Sequence, residues 1–221
     1  RARWSWNLVT KKISSASWRL LRVNTKPGRM ILEPVREGAR IHRQAARSTF
    51  WELEASVVDP AFEKEAWLAT TLLSFGQCGF TVGEDATILF CSREDAAGAA
   101  KLPTAPISDD AEIITSLFVK AHLMGRGIEA VLVDAAIMHL TNRGSAAVEA
   151  VGYYGDPAAA ADFLGHKPAY IGLMSYDTLR SAGFEVAADH PVLPRLRLEL
   201  PPEHDMLSAA AAEDLLARAL A

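Results

Sequence analysis

One stretch of the chain, residues 111–151, constrains the fold more than any other. Ala111 to Val119 is β-branched and nearly all apolar, which predicts a buried strand. A glycine turn follows at residues 125–127, and from Ile128 the apolar residues recur with a helical period. Another strand is predicted from Ala146 to Val151. This order of strand, glycine turn, helix and strand is a βαβ-like unit, so we expect an α/β domain.

The glycine turn is also the first candidate for a binding site. It lies where the C-terminal end of a strand meets the N-terminus of a helix, and backbone N–H groups at such a point face outward without partners. These groups bind phosphate oxygens with the help of the helix dipole, and glycine lets the backbone approach an anion closely. A Gly-x-Gly sequence also occurs in plain tight turns, so both interpretations stay open at this point.

Further elements are predicted on the N-terminal side of this unit. Asp59 and Pro60 indicate a helix start, with Asp59 as the cap. The helix ends at Gly76, and Cys78–Val82 and Ala86–Ser92 then predict a β-hairpin. The apolar face of the helix is predicted to hold Phe62, Ala66, Trp67, Thr70 and Leu73.

The C-terminal part is predicted to complete the same domain. Residues 152–169 form a long connection, for which no helix or strand is predicted. A short helix is expected from Ser175 to Ala182, followed by strands at Phe184–Ala187 and Leu196–Leu200. Pro201-Pro202 then introduces an alanine-rich C-terminal helix.

Composition excludes several classes of protein. The 221 residues include only two cysteines, Cys78 and Cys91, so a disulfide framework is ruled out and buried free thiols are expected. The six histidines show no metal-ligand spacing, and His139 is expected to be a core residue. The longest apolar run, residues 130–140, is too short and too polar to span a bilayer. A reduced, cytoplasmic setting is therefore expected.

The charge is distributed unevenly along the chain. Residues 1–32 hold eight of the 23 basic residues and no acidic residue, so the other 15 basic residues stand against 27 acidic ones. This basic arm also contains Trp4, Trp6 and Trp18. It predicts either a weak anionic partner, such as nucleic acid or a membrane surface, or a leader segment with no partner. We divide the chain into an arm at 1–28, a domain at 29–200 and a C-terminal helix at 201–221.

The motifs of the central unit resemble a known superfamily. The run from Leu117 to Ile128, LFVKAHLMGRGI, resembles the acetyl-CoA signature of the GCN5-related N-acetyltransferases (GNAT). Arg143-Gly144 and the run 179–184 fit the same pattern. More specific motifs resemble a largely uncharacterised bacterial branch that is common in actinobacteria: FWEL at 50–53, EKEAW at 63–67, PTAP at 103–106 and PRLRLEL at 194–200. The resemblance covers residues 29–200.

The resemblance implies a fold and an activity. It implies a single domain with a mixed sheet flanked by helices, in which two central strands splay apart. The pantetheine of acetyl-CoA lies between them as a pseudo-strand, the pyrophosphate lies on the turn, and an amine of unidentified nature attacks the thioester directly. A homodimer is compatible with it. The implied cofactor-binding residues are Leu117, Phe118, Val119, Met124, Gly125, Arg126, Gly127, Ile128, Glu129 and Ala130.

Two residues depart from that signature. Met124 stands where the pattern has Gln or Arg, and Glu129 stands where it has Gly or Ala. At an effective dielectric of 20 and about 5 Å, Glu129 repels an anion by roughly 3 kcal/mol, or about a hundredfold in affinity. Glu129 can instead turn outward and pair with Arg126. One interpretation is a non-catalytic protein with a degenerate coenzyme A site, and the other is a tolerated variant.

Catalytic residues are predicted less directly. The tyrosine that many superfamily members use to protonate the leaving thiolate is replaced by Leu179, and Tyr176, three residues earlier, is the candidate acid. Tyr176 can equally be a packed or surface tyrosine. Glu112, at the start of the central strand, is the candidate base, and its alternative is a strand-end acid in solvent. Asp109 and Asp110 are further candidates that read first as loop residues.

Overall fold

The computed structural model describes residues 32–220. The strands of this part are β1 Glu33–Pro34, β2 Gly79–Val82, β3 Ala86–Cys91, β4 Ala111–Val119, β5 Ala147–Tyr153, β6 Met174–Ser175, β7 Glu185–Ala188 and β8 Arg195–Glu199. The α-helices are α1 Pro60–Ser74, α2 Ile128–Arg143, α3 Pro157–Leu164, α4 Pro168–Ile171, α5 Tyr176–Ser181 and α6 Ala209–Leu220. The 3₁₀ turns are Arg93–Asp95, Ala97–Lys101 and Ala121–Leu123. The predicted arm at 1–28 lies outside the described residues.

The strands form one mixed sheet, as the α/β prediction requires. Its order is β1-β2-β3-β4-β5-β8-β7, and β6 pairs with the end of β5. β4 runs parallel to β5, while β3 and β8 run antiparallel to them. β4 and β5 pair only between Ala111–Ile113 and Ala147–Glu149, and the rest of β4 diverges from β5. The expected splay between two central strands is therefore present.

Helix α2 is positioned by two glycines and by its apolar surface. Gly127 precedes the helix at φ +91° and Gly144 follows it at φ +89°, so both ends use a left-handed conformation that favours glycine. Its inward residues are fully buried against the sheet and against α5 and α6. A second core lies around Trp51 and Ile171, where the Trp51 Nε1–H donates to the Ile171 carbonyl at 2.7 Å.

The start of α1 is as predicted, but its predicted buried face is wrong. The Asp59 side chain accepts from the backbone N–H of Phe62. Phe62 is 64% exposed and Leu73 is 90% exposed, whereas Lys64 is 1% exposed. The reason is an ion pair in the core: Lys64 Nζ lies 2.5 Å from Oε1 of the buried Glu52, so the helix turns its Lys64 side inward.

The hairpin and its thiols agree with the sequence prediction. β2 and β3 pair antiparallel across the predicted turn, and Cys78 and Cys91 are both free and buried. Burial raises the pKa of the Cys78 thiol to about 12 and that of Cys91 well above its usual value. Both sulfurs therefore stay protonated and unreactive near neutral pH.

Two segments in the C-terminal half differ from the prediction. The connection at 152–169 contains α3 and α4, and the Asp156 side chain caps α3 by accepting from the Ala158 N–H at 2.8 Å. Helix α6 begins only at Ala209, eight residues after Pro201. Its buried residues pack in the same core as α2. The C-terminal helix is therefore continuous with the domain.

Candidate functional site

The splay between β4 and β5 opens into a cleft of about 610 Å³. One wall is the end of β4, residues 117–119, and the opposite wall is formed by the end of β5 and by α3, α4 and β6. Met124, just before the glycine turn, and Glu129, in the first turn of α2, also line the cleft. The lining is mostly apolar but includes seven polar or charged residues, a mixture that is typical of a ligand cleft.

The edge of β4 offers backbone hydrogen-bonding groups to this cleft. Lys120 donates its N–H to the Asp85 carbonyl on the β3 side at 2.9 Å. Because successive residues of a strand point their N–H and C=O groups to opposite sides, Leu117 and Val119 direct theirs into the cleft. Leu117 N–H donates to the Gly172 carbonyl at 2.8 Å, whereas no described backbone group accepts from Val119. Half of the exposed strand edge is therefore open to a ligand.

Gly172 makes that internal contact by a close approach that only glycine allows. Its φ is +66°. A Cβ at this position would lie 2.7 Å from Cβ of Ser116 and 2.8 Å from the ring of Phe118. The segment before β6 therefore lies tightly against β4 and occupies part of the splay.

One backbone N–H group of the glycine turn is also already hydrogen-bonded, to a side chain of the same chain. Gly125 donates its N–H to Oε1 of Glu129 at 2.8 Å. Arg126 instead donates from Nη1 to the Ala219 carbonyl of α6 at 2.8 Å, and the alternative outward pair between Arg126 and Glu129 does not form. The Glu129 carboxylate thus lies on a backbone N–H that the resemblance assigns to a pyrophosphate.

The structure brings part of the predicted cofactor set together. Leu117, Phe118, Val119, Met124 and Glu129 line one continuous cleft. The remaining residues of the set belong to the turn and first helical turn: Gly125, Arg126, Gly127, Ile128 and Ala130. Of these, Ile128 is buried in the core under α2 and Ala130 is exposed.

The two predicted catalytic residues lie elsewhere. Glu112 is paired with Val148 at the beginning of β4, about 17 Å along the strand from Leu117. Ser145 Oγ contacts its carboxylate at 3.5 Å, and burial raises the pKa of Glu112. Tyr176 packs against Tyr154 in a tilted arrangement, with ring centroids 4.6 Å apart, and does not line the cleft. Neither residue lines the cleft, so we assign neither the base to Glu112 nor the acid to Tyr176.

The alternative acids are engaged in ion pairs on the surface. Asp109 accepts from Arg93, and Asp110 accepts two hydrogen bonds of 2.9 Å from Arg197. Neither lines the cleft. They are loop residues, as the first interpretation of the sequence had it.

Six polar or charged residues that line the cleft were not predicted from the sequence: His42, Tyr153, Asp162, Lys167, Ser175 and Thr178. Tyr153 is the last residue of β5, and burial raises the pKa of its phenol. His42 lies in the long loop after β1, and its ring stacks on Phe118 at 5.7 Å between centroids. The sequence prediction ended this strand at Val151, two residues before its observed end. A prediction that reached the true end would have indicated Tyr153. The polar stretch around His42, residues 35–50, shows only weak helical periodicity, which does not indicate a site residue.

Residues 32–220 contain neither a candidate metal site nor a candidate membrane span. Within that range no three His, Cys, Asp or Glu side chains are grouped so that they could hold a metal ion. No helix there is long and apolar enough to cross a membrane.

Comparisons with known proteins give likenesses in structure only. No family model matches the sequence, and no curated protein matches it. The chain is similar to the acetyltransferase YncA of Salmonella typhimurium, solved with acetyl-CoA, at 15% identity and a TM-score of 0.47, covering 81% of this chain and 98% of that one. An N-acetyltransferase from Staphylococcus aureus has 14% identity, a TM-score of 0.48 and coverage of 77% and 98%. An IAA acetyltransferase from Bacillus cereus has 12% identity, a TM-score of 0.42 and coverage of 77% and 99%.

Proposed function

We propose that this chain is an acetyl-CoA-dependent N-acetyltransferase of the GNAT type that acts on an unidentified primary amine. The observation that carries the proposal is the unpaired edge of β4 at Val119, which faces an apolar cleft that ends on a glycine turn at a helix N-terminus. The placement in an actinobacterial-type branch rests on the four sequence motifs and is part of the same proposal.

The cleft suits a ligand with an extended amide chain. A strand edge binds such a chain through backbone N–H and C=O groups, and Val119 offers both. The volume of about 610 Å³ lies within the usual range of small-molecule sites. The pantetheine part of acetyl-CoA fits this wall, while its diphosphate fits the turn only after Glu129 leaves the Gly125 N–H.

Acetyl transfer in this cleft needs few groups from the protein. The amine nitrogen, entering in its neutral form, forms a bond to the thioester carbonyl carbon, the carbon–sulfur bond breaks, and the amine proton is lost to solvent. The departing thiolate takes a proton, and Tyr153 is the phenol that lines the cleft. Because burial raises the pKa of Tyr153, the phenol is protonated near neutral pH and can donate.

Ligand binding is the first test. Acetyl-CoA and CoA are titrated into the full chain by thermal shift and calorimetry. A ligand at a hundred times its dissociation constant adds about 2.7 kcal/mol of stability, which raises the Tm of a chain this size by about 5–10 °C. If neither ligand shifts the Tm at millimolar concentration, the proposal is contradicted.

Turnover separates the role of Tyr153 from that of its neighbour. A lysine peptide, a peptide with a free N-terminus and spermidine are offered as acceptors, and CoA thiol release is followed. We expect Tyr153→Phe to lower kcat by about 10²-fold with little change in CoA affinity. The matched control is Tyr154→Phe, since Tyr154 bonds Asp189 outside the cleft. Equal kcat values in the two variants would remove Tyr153 from the mechanism.

A specific observation supports a second candidate, a non-catalytic protein that keeps the fold. Two N–H groups that a CoA molecule would meet, those of Gly125 and Leu117, already donate to Glu129 and to the Gly172 carbonyl. Under this alternative the parent binds neither acetyl-CoA nor CoA. The double change Glu129→Gly with Met124→Arg would then create an affinity that the parent lacks. Binding and turnover by the parent would exclude it.

Single changes at Glu129 separate its charge from its position. Glu129→Gln removes the charge but keeps an oxygen that can accept from Gly125, whereas Glu129→Ala removes both. If repulsion limits affinity, both variants bind CoA more tightly than the parent by a similar factor. If occupation of the N–H limits it, only the alanine variant improves. Asp162→Asn is the control, because Asp162 lines the same cleft away from the turn.

A further inference from the structure

The His42 side chain is held in one orientation against the end of β4. Its backbone N–H donates to Oγ1 of Thr87 at 2.9 Å, which ties the loop to β3. Its ring lies nearly parallel to the ring of Phe118, at an interplanar angle of 15°. Phe118 is buried and belongs to the cleft wall, so the imidazole is fixed beside that wall.

The hydrogen bonds of the ring define its tautomer. Nδ1 of His42 accepts from the backbone N–H of Gln44 at 3.2 Å, so this nitrogen carries no proton. In a neutral imidazole the proton is then on Nε2. Nε2 has no hydrogen-bond partner among the described residues. It is also not one of the unpaired polar atoms that are buried, so it can be reached from outside. It is therefore an accessible donor.

The surroundings keep this imidazole neutral. Burial lowers the pKa of His42, and the positive charge of Lys120 lowers it further. Asp85 acts in the opposite direction, but its carboxylate is paired with Lys120 at 2.7 Å. A neutral ring with Nε2 protonated can donate a hydrogen bond but cannot take a proton at that nitrogen.

The cleft needs such a donor because one strand N–H is already engaged. Attack on a thioester builds negative charge on the carbonyl oxygen, and donors aimed at that oxygen stabilise it. Of the two β4 residues whose backbone N–H groups face the cleft, Leu117 already gives its N–H to the Gly172 carbonyl. We propose that His42 supplies the missing donor, by giving its Nε2–H to the carbonyl oxygen of the acyl group in the cleft, an assignment that rests on the proposed function.

The comparison of acetyl-CoA with CoA isolates this hydrogen bond, because CoA lacks the acyl carbonyl. Dissociation constants of both are measured by calorimetry for the parent, His42→Phe and His42→Gln. A neutral hydrogen bond predicts that the parent prefers acetyl-CoA by about two- to tenfold. We expect His42→Phe to lose that preference at unchanged CoA affinity, and His42→Gln, which retains an N–H donor, to recover part of it. His166→Phe, outside the cleft, should behave as the parent.

The outcomes distinguish this inference from the function on which it rests. If the parent binds neither compound, the proposed function fails and His42 has no acyl group to bind. If the parent binds both and His42→Phe keeps the preference, or loses affinity for both equally, only the role of His42 is overturned. Nitrogen NMR of the free parent gives an independent readout. An unprotonated Nδ1 and a protonated Nε2 support the donor role, and the opposite tautomer overturns it.

Discussion

The buried pair of Lys64 and Glu52 allows a quantitative prediction about stability. The two side chains are 1% and 0% exposed, and Nζ lies 2.5 Å from Oε1. Oε2 of Glu52 has no hydrogen-bond partner within the described residues, so the carboxylate depends on Lys64. The ammonium also lies 5.2 Å from the ring centroid of Trp67. Removing one partner therefore leaves an uncompensated charge in the core.

Lys64→Met makes that change with little loss of volume. Breaking a buried ion pair by removing one partner reduces the free energy of unfolding by about 3–5 kcal/mol. For a chain of this size each kcal/mol lowers the Tm by about 2–4 °C, so we expect a fall of about 6–20 °C. The double variant Lys64→Met with Glu52→Leu has no charge left to bury, and we expect it to recover to within about 1 kcal/mol of the parent.

Urea unfolding followed by tryptophan fluorescence measures this, because Trp51 and Trp67 lie near the pair. Lys101→Met is the control: Lys101 also lies over an aromatic ring, that of Phe50, but it is exposed, so a loss below about 1 kcal/mol is expected. A Lys64→Met variant within 1 kcal/mol of the parent would refute the reasoning. So would a double variant as unstable as the single one.

Three further predictions concern the cleft wall, the core histidine and the arm. Gly172→Ala should lower the free energy of unfolding in urea by about 2–4 kcal/mol, because the added Cβ strains the backbone and overlaps Ser116 and Phe118. Its control is Gly165→Ala, at φ +68° with no atom beyond its chain neighbours within 4 Å of the added Cβ, which should lose only about 1 kcal/mol. Burial lowers the pKa of His139, so the unfolded chain binds the proton more readily and the free energy of unfolding should fall as pH falls through 6.5. In unfolding curves from pH 7.5 to 5.5, His139→Gln should flatten this pH dependence. An unchanged pH dependence would exclude His139 as its source. Deleting residues 1–28 should leave the Tm and any acetyl-CoA response unchanged, and a drop of several degrees would show that the arm packs on the domain.

The elements that could be predicted from sequence are those with local signals. β4 was predicted to the residue, because its apolar run is unbroken and a glycine turn follows. The Asp59 cap and the two glycines that bound α2 identify helix ends by backbone chemistry alone. The same signal was present at Asp156-Pro157, which caps α3, but the alanine-rich sequence that follows gave it no apolar period.

The buried face of α1 shows where local pattern fails. Phe62 and Leu73 are apolar and share a helical face with Ala66, yet that face is exposed. The inward face is selected by Glu52, which precedes the helix and requires the ammonium of Lys64 at its side. A lysine reads as a surface residue in any periodicity argument, because an unpaired charge is rarely buried. Only the three-dimensional pairing reverses that expectation.

The roles at the cleft were harder to predict, because its walls come from distant parts of the chain. His42, Phe118 and Gly172 meet there, although more than 50 residues separate each from the next. Glu112 was predicted as the base because it lies at the start of the central strand, and Tyr176 as the acid because it lies three residues before Leu179. β4 pairs with β5 near Glu112 and diverges from it farther along, so the cleft lies at the opposite end of β4 from Glu112. Tyr176, on α5, contacts Tyr154 instead of the cleft. No sequence period encodes either displacement.

The Glu129 carboxylate decides how strongly this turn can hold a diphosphate. If it stays on the Gly125 N–H, the repulsion amounts to roughly 3 kcal/mol at an effective dielectric of 20 and about 5 Å. Glu129 is only half-buried, so it can rotate into solvent without repacking the core. Rotation forfeits one charge-assisted hydrogen bond, about 1.5–3 kcal/mol, so both routes weaken binding by about 10- to 100-fold. The turn is therefore expected to bind CoA weakly, and Glu129→Ala should recover that factor. A parent that binds CoA as tightly as its alanine variant would show that the carboxylate does not compete for the site.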